Sequence, residues 1–189
     1  MKRTAQAGIA NATAAGYDLS LLFGIDDFYH KYGYVPAWPY QNYYIATGRL
    51  PVAPTRARAY RFTLRHRQDL AQMYNHYHSQ LTGTAIRPTY QRLASPHCLG
   101  YCWHRQGRPV GYIIINTQNN QFVHIESCGE VETVLAYLAR LARQHNAREI
   151  RFRELHYCSE LARLLRRHHC RQETLYFQSG GAMVRILNL

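Results

Sequence analysis

The stretch "LLFGIDDFYHKYGYVPAW", residues 21–38, decides how this chain is read. An apolar run closes on Gly24, two acids follow, and the aromatic pair Phe28-Tyr29 leads through His30-Lys31 to Gly33-Tyr34. Apolar residues ending on glycine predict a buried strand. Asp26 or Asp27 then stands where a side chain can cap a short helix over "FYHKY", and Gly33 stands where a left-handed residue ends one. Such a turn delivers Tyr29 at a helix start, just past the end of a strand.

Outward from this stretch, residues 2–15 are alanine-rich and predict a helix closed by Gly16, and "NYYIAT" predicts a second strand. "GRLPVAPTRARAY" mixes glycine, proline and arginine and reads as a linker. Beyond it, "RFTLR" predicts a short strand, and Leu70, Met73, Tyr74, Tyr77 and Leu81 fall at helical spacing behind Asp69. "LGYCWHRQGRPVGYIII" predicts a hairpin turning at Gln106-Gly107-Arg108, and "QFVHIES" a further strand. Val131, Val134, Leu135, Leu138, Leu141 and Ala142 mark one face of an amphipathic helix. "EIRFREL", a helix through Leu161, Leu164 and Leu165, "TLYF" and "AMVRILNL" complete the order β, α, β, β, β, α, β, α, β, β. Helix, strand, short helix, strand in the first fifty residues repeats the order of residues 131–177. The expected organisation is a partial first copy at 1–50, a linker at 51–59 and a complete second copy at 60–189, in a mixed α+β fold with helices on both faces of its sheet.

Composition narrows the setting. Hydrophobic residues make up 47% of the 189, enough for a packed core, which excludes global disorder. A net charge of +12 favours an anionic partner such as a nucleic acid, a phosphorylated cofactor or an acidic surface. Five cysteines form no regular framework and read as free thiols of a reducing compartment, so a cytoplasmic location is expected. Gln6, Asn11 and Thr13 interrupt the leader-like start, and no run approaches the roughly 20 apolar residues of a membrane span.

At this point the motifs carry a family likeness. The element order from residue 60 onward resembles the GCN5-related N-acetyltransferase fold, and "LLFGIDDFYHKYGYV" is similar to that family's strand, aromatic helix start and closing Gly-aromatic. With "DLAQMYNHYHSQLTGTAIRP" at 69–88 and the ending "GAMVRILNL", the chain resembles the tandem acetyltransferases related to the enhanced intracellular survival protein. The resemblance implies acetyl-CoA held where two strands splay apart, with its pyrophosphate on an Arg/Gln-x-x-Gly-x-Gly/Ala loop at a helix N-terminus. It implies direct attack of an amine on the thioester, and it assigns Tyr29 as the general acid that protonates the leaving thiolate. A phenol suits that role, with a reference pKa of roughly 10 against a thiol's roughly 8.5.

The chain also departs from the pattern. No such loop precedes the first copy, and the corresponding place in the second reads "ESCGEVETV", residues 126–134, where Glu126, Glu130 and Glu132 are expected to repel a pyrophosphate. In the resembling proteins the base is the terminal carboxylate of a third domain, and this chain stops at "RILNL". Cofactor-binding and substrate-binding residues therefore stay unassigned, and truncation at both ends is expected.

Two further clusters deserve weighing. His97, Cys98, Cys102 and His104 lie within eight residues, with His124/Cys128 or His156/Cys158 as further donors, but a chain so rich in histidine clusters by chance and no metal is expected. "RARAYRFTLRHR" and "RLLRRHHCR" interleave or concentrate arginine as nucleic-acid binders do, or as a solvated basic face does. The reading is an N-acetyltransferase, fragmentary or degenerate, that moves acetyl from acetyl-CoA to a primary amine. The alternatives are a non-catalytic module that binds a partner protein or a second copy of itself, and a basic RNA- or DNA-binding protein.

Overall fold

A run of three isoleucines explains the core. Ile113, Ile114 and Ile115 run consecutively, and all three are fully buried, as a strand covered on both faces requires. The computed structural model describes residues 2–50, 58–61, 63, 66–81, 84–89, 97–176 and 181–188, Asn120 by its backbone only. In chain order the elements are α1 (Lys2–Ala14), β1 (Leu19–Gly24), a 3-10 helix at Tyr29–Tyr32, β2 (Val35–Pro36), β3 (Tyr40–Ala46), β4 (Ala59–Arg61) and α2 (Arg67–His78). They continue as β5 (Cys98–Arg105), β6 (Arg108–Asn116), β7 (Val123–Cys128), α3 (Val131–Gln144), β8 (Glu149–Phe152), α4 (Glu160–Arg167), β9 (Arg171–Leu175) and β10 (Gly181–Ile186).

The larger unit, Gln41–Glu173, is built on a seven-stranded mixed sheet in the order β4-β5-β6-β7-β8-β3-β9. Its strands alternate between two cores. On one face, Ile113 and Ile115 pack with Phe152, Tyr43 and the buried stripe of α3, including Leu135 and Leu138. Leu161, Ala162 and Leu165 of α4 join the same core, and the Ser159 hydroxyl accepts the Ala162 N–H at 3.1 Å to start that helix. On the other face, Tyr112, Ile114 and Cys102 meet Leu70, Ala71 and Tyr74 of α2. The architecture is α+β with helices on both faces of a mixed sheet.

The smaller unit, Met1–Tyr40 with Thr174–Leu189, holds a three-stranded antiparallel sheet in the order β1-β10-β2. The register runs from Leu19↔Ile186 to Gly24↔Gly181. One face of β1 stays open: Leu19, Leu21 and Phe23 are exposed, Phe23 to 73%, and α1 buries no residue.

Several expectations change. The contact pattern does not divide the chain as 1–50, 51–59 and 60–189, because β3 lies in the larger unit's sheet beside β8 and β10 lies in the smaller unit's beside β1. Alternation along a strand reports its two faces and says nothing of which strand it pairs with. Residues 51–57 of the expected linker fall outside the described residues. The N-cap position falls on Phe28 rather than on Asp26 or Asp27, and Phe28 makes no side-chain cap bond. β4 covers Ala59–Arg61, while Phe62, Leu64 and Arg65 of the expected "RFTLR" strand lie outside the described residues, and β2 is an additional strand.

Candidate functional site

Tyr29 is where the opening stretch places it, at the first position of the 3-10 helix that follows β1. Its half-buried ring meets Phe28 edge-on at 4.9 Å and Tyr34 edge-on at 5.8 Å. Tyr34 is buried, and its hydroxyl shares a 2.6 Å hydrogen bond with the Ser20 hydroxyl, which anchors the far side of the turn to β1. Gly24 has a packing reason: a Cβ there would lie 2.6 Å from Met183 Sδ and 3.1 Å from Tyr29 Cδ2. Gly33, at φ +75°, closes the helix with its N–H donating to His30 O at 3.0 Å. Arg185 donates to the Tyr32 carbonyl from β10. The backbone and ring of Tyr29 are thus held by their surroundings, while among the described residues none hydrogen-bonds its hydroxyl.

The larger unit carries a cleft of about 400 Å³, within the size range of small-molecule sites. It opens because β7 and β8 pair in parallel only at Val123↔Arg151 and His124↔Phe152 and then part. A last long bond runs from Arg153 N to His124 O at 3.4 Å. At the base of the cleft sits Glu126, 6% exposed, with Arg87 Nη2 2.8 Å from Oε2 and Nη1 donating to Oε1 at 3.0 Å. Tyr112 donates its hydroxyl to Oε1 at 2.6 Å, and the Arg87 guanidinium lies 3.5 Å over the Tyr74 ring. Asn75 fixes the arginine's backbone through two 2.8 Å bonds. A doubly bonded, compensated carboxylate of this kind is a stable buried pair rather than a free negative charge. The expectation that Glu126 repels a phosphate is therefore corrected: Arg87, 39 residues earlier in the chain, takes up its charge.

Two neutral imidazoles line the same cleft. His124 is 2% exposed, and burial pushes its pKa down to about 4. Its Nε2 pairs with the Ser127 hydroxyl at 2.9 Å, and its Nδ1 is buried without a partner among the described residues. The His78 pKa is also lowered by burial, and neither ring nitrogen has a hydrogen-bond partner among the described residues. Burial first, and then the nearby Glu160, pushes the Tyr77 phenol up to about 12. At the cleft's edge α3 begins with Glu130 as its N-cap and Glu132 in its first turn. Both carboxylates lie beside the positive end of that helix, although Glu130 makes no side-chain cap bond and instead accepts the Thr133 hydroxyl at 2.7 Å. The cleft went unassigned in the sequence because its polar centre joins residues from three separated segments.

The second basic run is partly structural. Arg166 donates to the Tyr43 hydroxyl at 3.0 Å and to the Tyr157 carbonyl at 3.2 Å, and Arg171 covers the Tyr44 ring at 3.7 Å. Much of the first run lies outside the described residues. No described helix is long and apolar enough to cross a membrane.

No protein-family model matches the sequence, and no curated protein matches it. Solved structures do. A GCN5-related N-acetyltransferase from Anabaena variabilis superposes with a TM-score of 0.70 at 16% identity, over 97% of this chain and 49% of that one. A probable N-acyltransferase from Enterococcus faecalis gives 0.74 at 18% identity, over 96% and 48%. Eis1 from Mycobacterium abscessus gives 0.62 at 16%, over 97% and 51%. The fold is that of the GCN5-related N-acetyltransferases. The chain spans about half the length of these acetyltransferase-fold structures. Identities this low establish the acetyltransferase fold and leave activity to be argued from the site.

Proposed function

We propose that this chain is the Tyr29-bearing part of a tandem N-acetyltransferase, which moves acetyl from acetyl-CoA to a primary amine. The observation that carries the proposal is the geometry around Tyr29, a phenol fixed at a helix start just past a strand end, with its hydroxyl uncommitted among the described residues. In this reading a base takes a proton from the amine as its nitrogen attacks the thioester carbonyl, the C–S bond breaks, and the departing thiolate takes the Tyr29 proton. A phenol about 1.5 pKa units above a thiol makes that transfer uphill by about 2 kcal/mol, a modest cost beside the barrier it helps to lower. The larger unit, Gln41–Glu173, serves as a second copy of the fold, and the acids at the start of α3 disfavour a cofactor phosphate there. The pyrophosphate loop and the base belong, on this proposal, to the half of such proteins that the chain does not span.

The test is release of free thiol from acetyl-CoA by the protein as its source makes it, assayed with a set of primary amines. Amine-dependent release supports the reading, and none with any amine ends it.

A non-catalytic reading rests on a different observation, the exposed apolar face of β1 with Val35 and Ile186 beside it. The partner it proposes is a second copy of the chain, covering Leu21 and Phe23. Sedimentation would show a dimer that Leu21→Glu dissociates; a monomer at high concentration contradicts it.

A further inference from the structure

We propose a metal site that the sequence does not announce, formed by His66, Cys102 and His104, which takes a divalent cation of zinc type. One donor atom from each of the three lies within 4.8 Å of the others. The four neighbours weighed in the sequence, His97 to His104, contribute only two of these, and the third comes from the start of α2.

The local structure explains the grouping. Cys102 and His104 lie two apart on β5, and Trp103 between them packs into the opposite core, stacked on Tyr137 at 4.7 Å. Cys102 packs into the core shared with α2, and α2 starts at His66, its N-cap residue. A β-bulge between Trp103 and His104 turns the strand at this point. The His66 and His104 rings stand 5.8 Å apart, both half-buried, so the group has an open side.

The donors are uncommitted enough to bind. Among the described residues none hydrogen-bonds the Cys102 thiol or the His104 ring nitrogens. His66 Nδ1 accepts the Thr63 N–H in an exposed bond of 3.2 Å, and that long bond yields when the ring takes metal. One thiolate and two imidazoles form a borderline-soft set suited to zinc, with the fourth tetrahedral position left to water. Binding forms a metal–sulfur bond and releases the Cys102 proton to solvent. The ion would tie the start of α2 to β5.

Cobalt(II) titration of the full chain tests this, because thiolate ligation adds a charge-transfer band that histidine alone does not. One cobalt per chain with that band is expected, displaced by zinc. Cys102→Ser abolishes the band, His66→Ala and His104→Ala each weaken binding at least tenfold, and His97→Ala, exposed and outside the group, leaves it unchanged. Cys102 is fully buried, so if its variant does not fold the two histidine variants decide. Binding without the sulfur band, or binding that survives His66→Ala at full strength, overturns the site.

Discussion

The two sheets differ in how completely they are covered. In the seven-stranded sheet, three consecutive isoleucines of β6 are each fully buried, with α2 on one side and α3 with α4 on the other. In the three-stranded sheet, Leu19, Leu21 and Phe23 of β1 face outward uncovered. Tyr29 sits on the poorly covered sheet, and the cleft with its neutral histidines sits in the well-covered one. Burial therefore separates a sheet whose two faces both answer to packing from one whose open face is free to answer to a partner.

The contrast is broken or sharpened by substitution. Phe152→Ala should cost about 3–5 kcal/mol in denaturant unfolding, and Phe23→Ser should stay within about 0.5 kcal/mol. Equal effects would erase the difference between the sheets. Arg87→Met should cost about 3 kcal/mol, since it leaves Glu126 buried without its counter-charge, and the double variant with Glu126→Leu should recover much of that.

A pH titration comes next. The unfolded chain takes up a proton on His124 near pH 6.5, and the folded chain only near 4, so stability is full above about 6.5 and falls as pH drops from there toward 4. The loss from this residue should be on the order of 3 kcal/mol, and His124→Gln should flatten it. An unchanged slope in the variant would show that the imidazole is not what titrates.

Much of this was legible in local patterns. The stripe of α3, the hairpin turn at Gln106-Gly107 and the Tyr29 helix start with Gly33 at its end all rest on residues a few positions apart. Three things were not. The exchange of strand partners by β3 and β10 is decided between segments over a hundred residues apart. Arg87 reaches Glu126 across 39 residues, which turned an expected repulsion into a neutral pair. His66 joins Cys102 and His104 only because α2 packs on β5.

The account turns on Tyr29, and turnover by Tyr29→Phe tests it most directly. The hydroxyl makes no hydrogen bond among the described residues, so the variant should keep its stability within about 0.5 kcal/mol. Loss of the acid should lower kcat about a hundredfold and leave KM for acetyl-CoA unchanged. A variant that releases CoA at the parent rate would contradict the account.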